Sequence, residues 1–70
     1  MPGIRTVADN VRAELARRHV TREKLCTDIG MGRESLARRL RAETDFTVGE
    51  IALIASYLDI PICQLIEGAA

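Results

Sequence analysis

Thr21 to Arg41 reads TREKLCTDIGMGRESLARRLR, and in it two short amphipathic patterns meet at a Gly30-Met31-Gly32 connection. Leu25, Cys26 and Ile29 fall at i, i+1 and i+4, and Leu36 and Leu40 are again four apart, so each segment presents one apolar helical face. Gly30 stands where the first pattern stops, the place where a left-handed residue ends many helices and where glycine adopts that conformation without steric cost. A three-residue connection forces the two helices to cross steeply, with the apolar Met31 tucked between them.

Seventy residues make one domain near the lower size limit for a single core. Tyr57 and Phe46 are the only aromatic residues, so the core must be built from aliphatic side chains. That inventory, with few period-two runs, predicts an all-α bundle of about five short helices and no sheet. Cys26 and Cys63 lie in apolar helical patterns with no secretory leader before them, and are expected to be reduced and buried. Together with His19 they supply too few ligands for zinc, and no metal or cofactor is expected. Ile51 to Ile66 is apolar but shorter than the roughly 20 residues a membrane span needs, and Asp59 and Pro61 interrupt it. A cytoplasmic protein with no membrane partner is the expectation.

The formal net charge of zero hides a strong asymmetry. All ten Arg and Lys residues lie between Arg5 and Arg41, against five acids there, whereas Ala42 onward holds five acids and no base. The halves therefore carry +5 and −5. Such a field can orient the molecule on a polyanion, while the zero total keeps non-specific binding modest.

Residues 1–6 show no periodicity and are expected to form a mobile arm with Arg5 near its base. Val7, Val11 and Leu15, widened by Ala8, predict helix 1 to about His19, with Asp9 near its start and Arg17 and Arg18 near its end matching the dipole. Thr21 is placed to cap helix 2, with Glu23 in the first turn; Lys24 stands where a full capping box has Glu or Gln, so the cap is partial. Helix 3 follows Gly32 and runs to about Arg41, and a polar loop covers Ala42 to Asp45. Thr47 and Glu50 form a capping box, with Phe46 placed to staple onto Ile51. Val48, Ile51, Ile54, Ala55 and Leu58 give helix 4 its stripe. Pro61 then enforces a turn, and Ile62, Leu65 and Ile66 form a short helix 5 ending at Gly68.

From Val7 to Glu67 the chain resembles the Cro/repressor-type helix-turn-helix domains of phage repressors and bacterial regulators. The resemblance rests on Leu25-Cys26-Thr27-Asp28-Ile29-Gly30-Met31, on Gly32-Arg33-Glu34-Ser35-Leu36-Ala37-Arg38-Arg39-Leu40, and on Phe46-Thr47-Val48-Gly49-Glu50-Ile51 and Tyr57-Leu58-Asp59-Ile60-Pro61. It implies one lambda-repressor-like domain over residues 1–70, with the third helix in the major groove. Three positions depart from the family pattern. Cys26 replaces the usual alanine, Gly32 replaces a capping Ser or Thr, and Arg39 stands where an apolar residue is common, so that Leu40 carries the packing and Arg39 faces phosphate or solvent.

On that resemblance Arg33, Glu34 and Arg38 occupy base-reading positions. Arginine can bond guanine O6 and N7 in bidentate fashion and glutamate can accept from cytosine N4, so a G·C-containing site is expected. Equally, Glu34 and Arg38 at i and i+4 suit a surface ion pair. Thr21, Arg22, Gly32, Ser35, Arg39 and Arg41 fall where backbone or edge contacts belong. Relatives bind as two-fold dimers on palindromic operators, and Tyr57, Ile62 and Ile66 offer an apolar dimer surface, with Leu65 assigned to the monomer's core.

A sequence-specific binder of double-stranded DNA, acting as a repressor by occluding the promoter, is the leading expectation. The alternative is a protein-interaction module, an antitoxin or anti-repressor that keeps the fold while its acidic half binds a partner. An enzyme is not expected: no nucleophile has a base nearby, and no phosphate loop or paired-carboxylate pattern is present.

Overall fold

The computed structural model describes residues 4–67. They form five helices, α1 (Ile4–Arg17), α2 (Arg22–Ile29), α3 (Arg33–Leu40), α4 (Val48–Leu58) and α5 (Cys63–Ile66), packed as an all-α bundle with no strand among the described residues. The helix count and order match the sequence reading. Among the described residues no helix is long and apolar enough to cross a membrane.

The core forms where the predicted stripes converge. Val7, Ala8, Val11 and Leu15 of α1 meet Leu25 and Cys26 of α2, Leu36 and Leu40 of α3, Ile51, Ile54, Ala55 and Leu58 of α4, and Leu65 of α5. Helix α1 packs on α3 and α5, and α2 packs on α3 and α4. Phe46 is buried beside the Thr47 cap, as a staple onto Ile51 requires, and Met31 is partly buried against the core between α2 and α3.

The starts of α2 and α4 follow side-chain chemistry. Thr21 Oγ1 accepts from the Lys24 N–H at 3.1 Å, the expected partial cap. At α4 the box is complete: Thr47 Oγ1 accepts from the Glu50 N–H at 3.0 Å, and Glu50 Oε1 accepts from the Thr47 N–H at 2.8 Å. Helix ends follow backbone conformation. Gly30 takes a φ of 73°, and its N–H donates to the Cys26 carbonyl at 2.9 Å. His19, Ala42 and Asp59 also adopt positive φ, and each is followed by a residue whose N–H reaches a carbonyl five positions back. These are Schellman-type ends built without glycine.

Four expectations are corrected. The arm was expected over residues 1–6, but α1 already begins at Ile4, because nothing between Ile4 and Val7 breaks a helix; residues 1–3 lie outside the described residues. Asp9 is consequently too deep in α1 to face the dipole, and it pairs with Arg12 instead. Val48 was placed in the core stripe but is 78 % exposed, since it lies in the first turn at the margin of the arc that Ile51, Ile54 and Leu58 define. Cys63 was expected to be buried and is exposed, whereas Cys26 is buried as expected; on α5 the core position belongs to Leu65.

Helix α5 stops at Ile66, and Gly68, where its end was expected, lies outside the described residues. This four-residue helix is held by polar contacts from α1. Asn10 Nδ2 donates to the carbonyls of Leu65 at 2.9 Å and Glu67 at 3.0 Å. Glu14, the one buried charged residue among those described, accepts from Gln64 at 3.3 Å and pairs with Arg17 and Arg18. Burial alone would raise the Glu14 pKa, but the hydrogen bond and charge of Arg17, with Arg18 and Gln64, bring it below the ordinary glutamate value.

Candidate nucleic-acid interface

The turn from Gly30 to Gly32 aims the start of α3 at solvent. Gly32 takes an extended φ of −68° and supplies no side-chain cap, so the first N–H groups of α3 have no side-chain acceptor. A helix start of this kind attracts anions through its N–H groups and its dipole.

Between the starts of α2 and α3 lies an open cleft of about 320 Å³. Arg22 and Glu23 border it from α2, Arg33 and Glu34 border it from α3, and Cys26, Leu36 and Ala37 form its floor. Arg22 and Arg33 share a property there. From Arg12 to Arg41 every other lysine or arginine side chain sits in an ion pair, and these two form none among the described residues. Both are exposed.

The remaining cations of α3 and its C-cap Arg41 are partly committed. Arg38 Nε lies 3.6 Å from Glu34 Oε2, the i,i+4 pair anticipated from spacing, and Arg41 Nη2 reaches the same oxygen at 3.5 Å. Arg41 also pairs with Glu43 at 2.8 Å. Hydrogen bonding to Glu43, with its charge, raises the Arg41 pKa, and Arg41 lowers that of Glu43 in return. All four residues are exposed, so these pairs are weak and exchangeable. Ser35 is exposed on the outer face, and Thr21 is exposed with its oxygen already accepting from Lys24.

Arg39 is where the sequence reading and the structure part. It was expected to face phosphate or solvent, yet its side chain is only 18 % exposed. Its Nε donates to Glu50 Oε1 at 2.8 Å and its Nη1 donates to the Ser35 carbonyl at 3.0 Å. Glu50 is the acid of the α4 capping box and the only charged residue in that helix, a signal that it has an internal partner. Burial raises the Glu50 pKa, but the bonds from the Thr47 N–H and Arg39 outweigh it and leave the group below its ordinary value.

Two further tethers lay outside the sequence reading. Arg12 of α1 donates to the Leu40 carbonyl at 2.6 Å, capping the last turn of α3. Tyr57 of α4 donates to Asp28 of α2 at 2.6 Å, which commits the phenol of this expected dimer residue within the subunit. Ile62 and Ile66 are 39 % and 41 % exposed, and Leu65 is fully buried. Among the described residues no three His, Cys, Asp or Glu side chains converge as metal ligands would.

Comparison with known protein families, with characterised proteins and with solved structures finds no match to this chain.

Proposed function

We propose that this protein binds double-stranded DNA sequence-specifically and represses transcription by occupying promoter DNA, with α3 in the major groove. The observation that carries the reading is the cleft between α2 and α3, where Arg22 and Arg33 stand exposed and without an ion-pair partner among the described residues. The other lysine and arginine side chains from Arg12 to Arg41 are paired with neighbouring acids. Leaving two arginines unpaired beside an uncapped helix start has no structural use, but it suits a polyanion.

On this reading Arg33 gives bidentate bonds to guanine, and Arg38, oriented by Glu34, reads a second pair. Arg22, Arg41, Thr21, Ser35 and the N–H groups after Gly32 take phosphates. The resemblance to Cro/repressor-type domains supports the same placement and implies a homodimer on a palindrome, for which Ile62 and Ile66 offer apolar surface.

Selection of bound duplexes from a random DNA pool tests this. A palindromic consensus is expected, with affinity falling at a log–log salt slope of about −4 per subunit if about four phosphates are neutralised. Arg33→Ala should relax base preference at one position; uniform weakening with unchanged preferences would demote Arg33 to a phosphate contact. A flat salt response would sink the DNA reading. A second reading, an antitoxin or anti-repressor module, draws support from the exposed Val48 and Leu53 on α4 in the acidic half. An absence of enrichment at low salt would favour it.

A further inference from the structure

The contact between Arg39 and Glu50 has a bearing on α3 that packing alone does not supply. Helix α3 is eight residues long, and its two fully buried side chains, Leu36 and Leu40, lie four apart along a single line. Contact along one line fixes where a helix lies but resists rolling about its axis only weakly. Arg39 stands to one side of that line. It grips its own helix through the Ser35 carbonyl and grips α4 through Glu50 Oε1. The Glu50 oxygen is itself immobilised, because it also accepts from the Thr47 N–H in the α4 cap. Beyond this link, the main packing partners of α3 are α1 and α2.

We infer that Arg39 is a positioning residue for base reading: its tether to Glu50 sets the roll of α3 and so aims Arg33 and Arg38 at their bases. This rests on the DNA-binding reading above. A roll of about 20° displaces a group about 6 Å from the helix axis by about 2 Å. Bidentate hydrogen bonds tolerate only a fraction of that distance, whereas phosphate contacts by flexible exposed arginines readily follow it. Losing the tether therefore lowers discrimination between bases more than it lowers affinity for DNA in general.

The test compares the wild type with Arg39→Met, which keeps an unbranched side chain over the core and removes the tether, and with Glu50→Gln, which keeps an amide oxygen for the Thr47 N–H and Arg39 Nε but removes the charge and so weakens the tether. For each, affinity is measured on the selected duplex, on single-base variants and on an unrelated duplex across a salt series, with thermal unfolding as the check on folding. The tether predicts that Arg39→Met loses about tenfold in discrimination between selected and variant sites and Glu50→Gln a smaller share of it, with the salt slope of the unrelated duplex unchanged.

A phosphate contact by Arg39 would give a different pattern. Arg39→Met would shallow the salt slope by about one with discrimination intact, and Glu50→Gln, by loosening the hold on the guanidinium, would tighten binding. That pattern would overturn the positioning role and leave the DNA reading standing. Wild-type protein that selects no duplex would overturn both.

Discussion

The phenol of Tyr57 and the carboxylate of Asp28 join α4 to α2 through a 2.6 Å hydrogen bond, with Lys24 Nζ 3.1 Å from the same carboxylate oxygen. The bond lowers the pKa of Asp28 and, with partial burial and the negative charge of Asp28, raises that of Tyr57. A raised folded-state value means stability that is fully present below the unfolded tyrosine value of about 10 and is lost as pH rises through the folded value. Ultraviolet titration of this single tyrosine should therefore give a midpoint above 10, and Asp28→Asn should move it down. A midpoint indifferent to Asp28→Asn would show that the bond is not populated in solution.

Three helices end on a left-handed residue other than glycine, and replacement by glycine separates two opposing effects. The left-handed conformation costs an ordinary residue about 1–2 kcal/mol, and the extra freedom of glycine in the unfolded chain returns about 0.5–1 kcal/mol of that. His19 is exposed and contributes no core packing, so His19→Gly should stabilise by about 0.5–1 kcal/mol. Ala42 packs its methyl against the core, so Ala42→Gly loses burial and should come out near neutral. Urea unfolding of the two variants ranks them, and the reverse order would contradict this account.

Acid should unfold the domain through its anchored carboxylates. The pKa of Glu14 is depressed in the folded state, so its contribution is fully present above the unfolded glutamate value of about 4.3 and is lost as pH falls through the folded value. The Glu50 contribution runs in the same direction. Glu14→Gln should lower stability at pH 7 by about 1 kcal/mol, through the lost charge-assisted bonds to Arg17 and Arg18, and should flatten the decline below pH 5. A stability profile as steep as that of wild type would place the acid sensitivity elsewhere.

The carboxylate of Glu34 is shared by Arg38 and Arg41, so its neutralisation should release both. Glu34→Gln should bind unrelated DNA more tightly, with a salt slope steeper by about one, while any preference for the base pair read by Glu34 weakens. An unchanged slope would mean that neither arginine reaches phosphate.

What could be read from the sequence was local. Thr21, Thr47 with Glu50, Gly30 and the leucine spacings act within one or two turns, and each is found as read. Periodicity names a face but not what covers it, so Val48 and Cys63 were assigned to a core that Ile54 and Leu65 occupy. The endings at His19 and Ala42 carry no residue signature, because the bonds that close them run from the backbone of the next residues, Val20 and Glu43, to the Leu15 and Arg38 carbonyls. The exposure of Arg33, Glu34 and Arg38 on one face of α3 and the Arg38–Glu34 pair were legible from helical geometry, whereas Arg22 was placed by the family resemblance. Arg39 was not, because its partner lies eleven positions away on another helix, and an arginine beside a leucine stripe gives no sign of whether it turns inward or out.

The Oε1 oxygen of Glu50 closes the first turn of α4 and anchors α3 at once, so these two segments cannot fray separately. Loosening the cap frees the arginine, and pulling the arginine away strips the cap of part of its electrostatic support. Residues 41–47, which would otherwise be an ordinary surface connection, are thereby bracketed by a single acceptor. The end of one helix and the beginning of the next should open to solvent as one cooperative unit, with amide exchange rates that rise together.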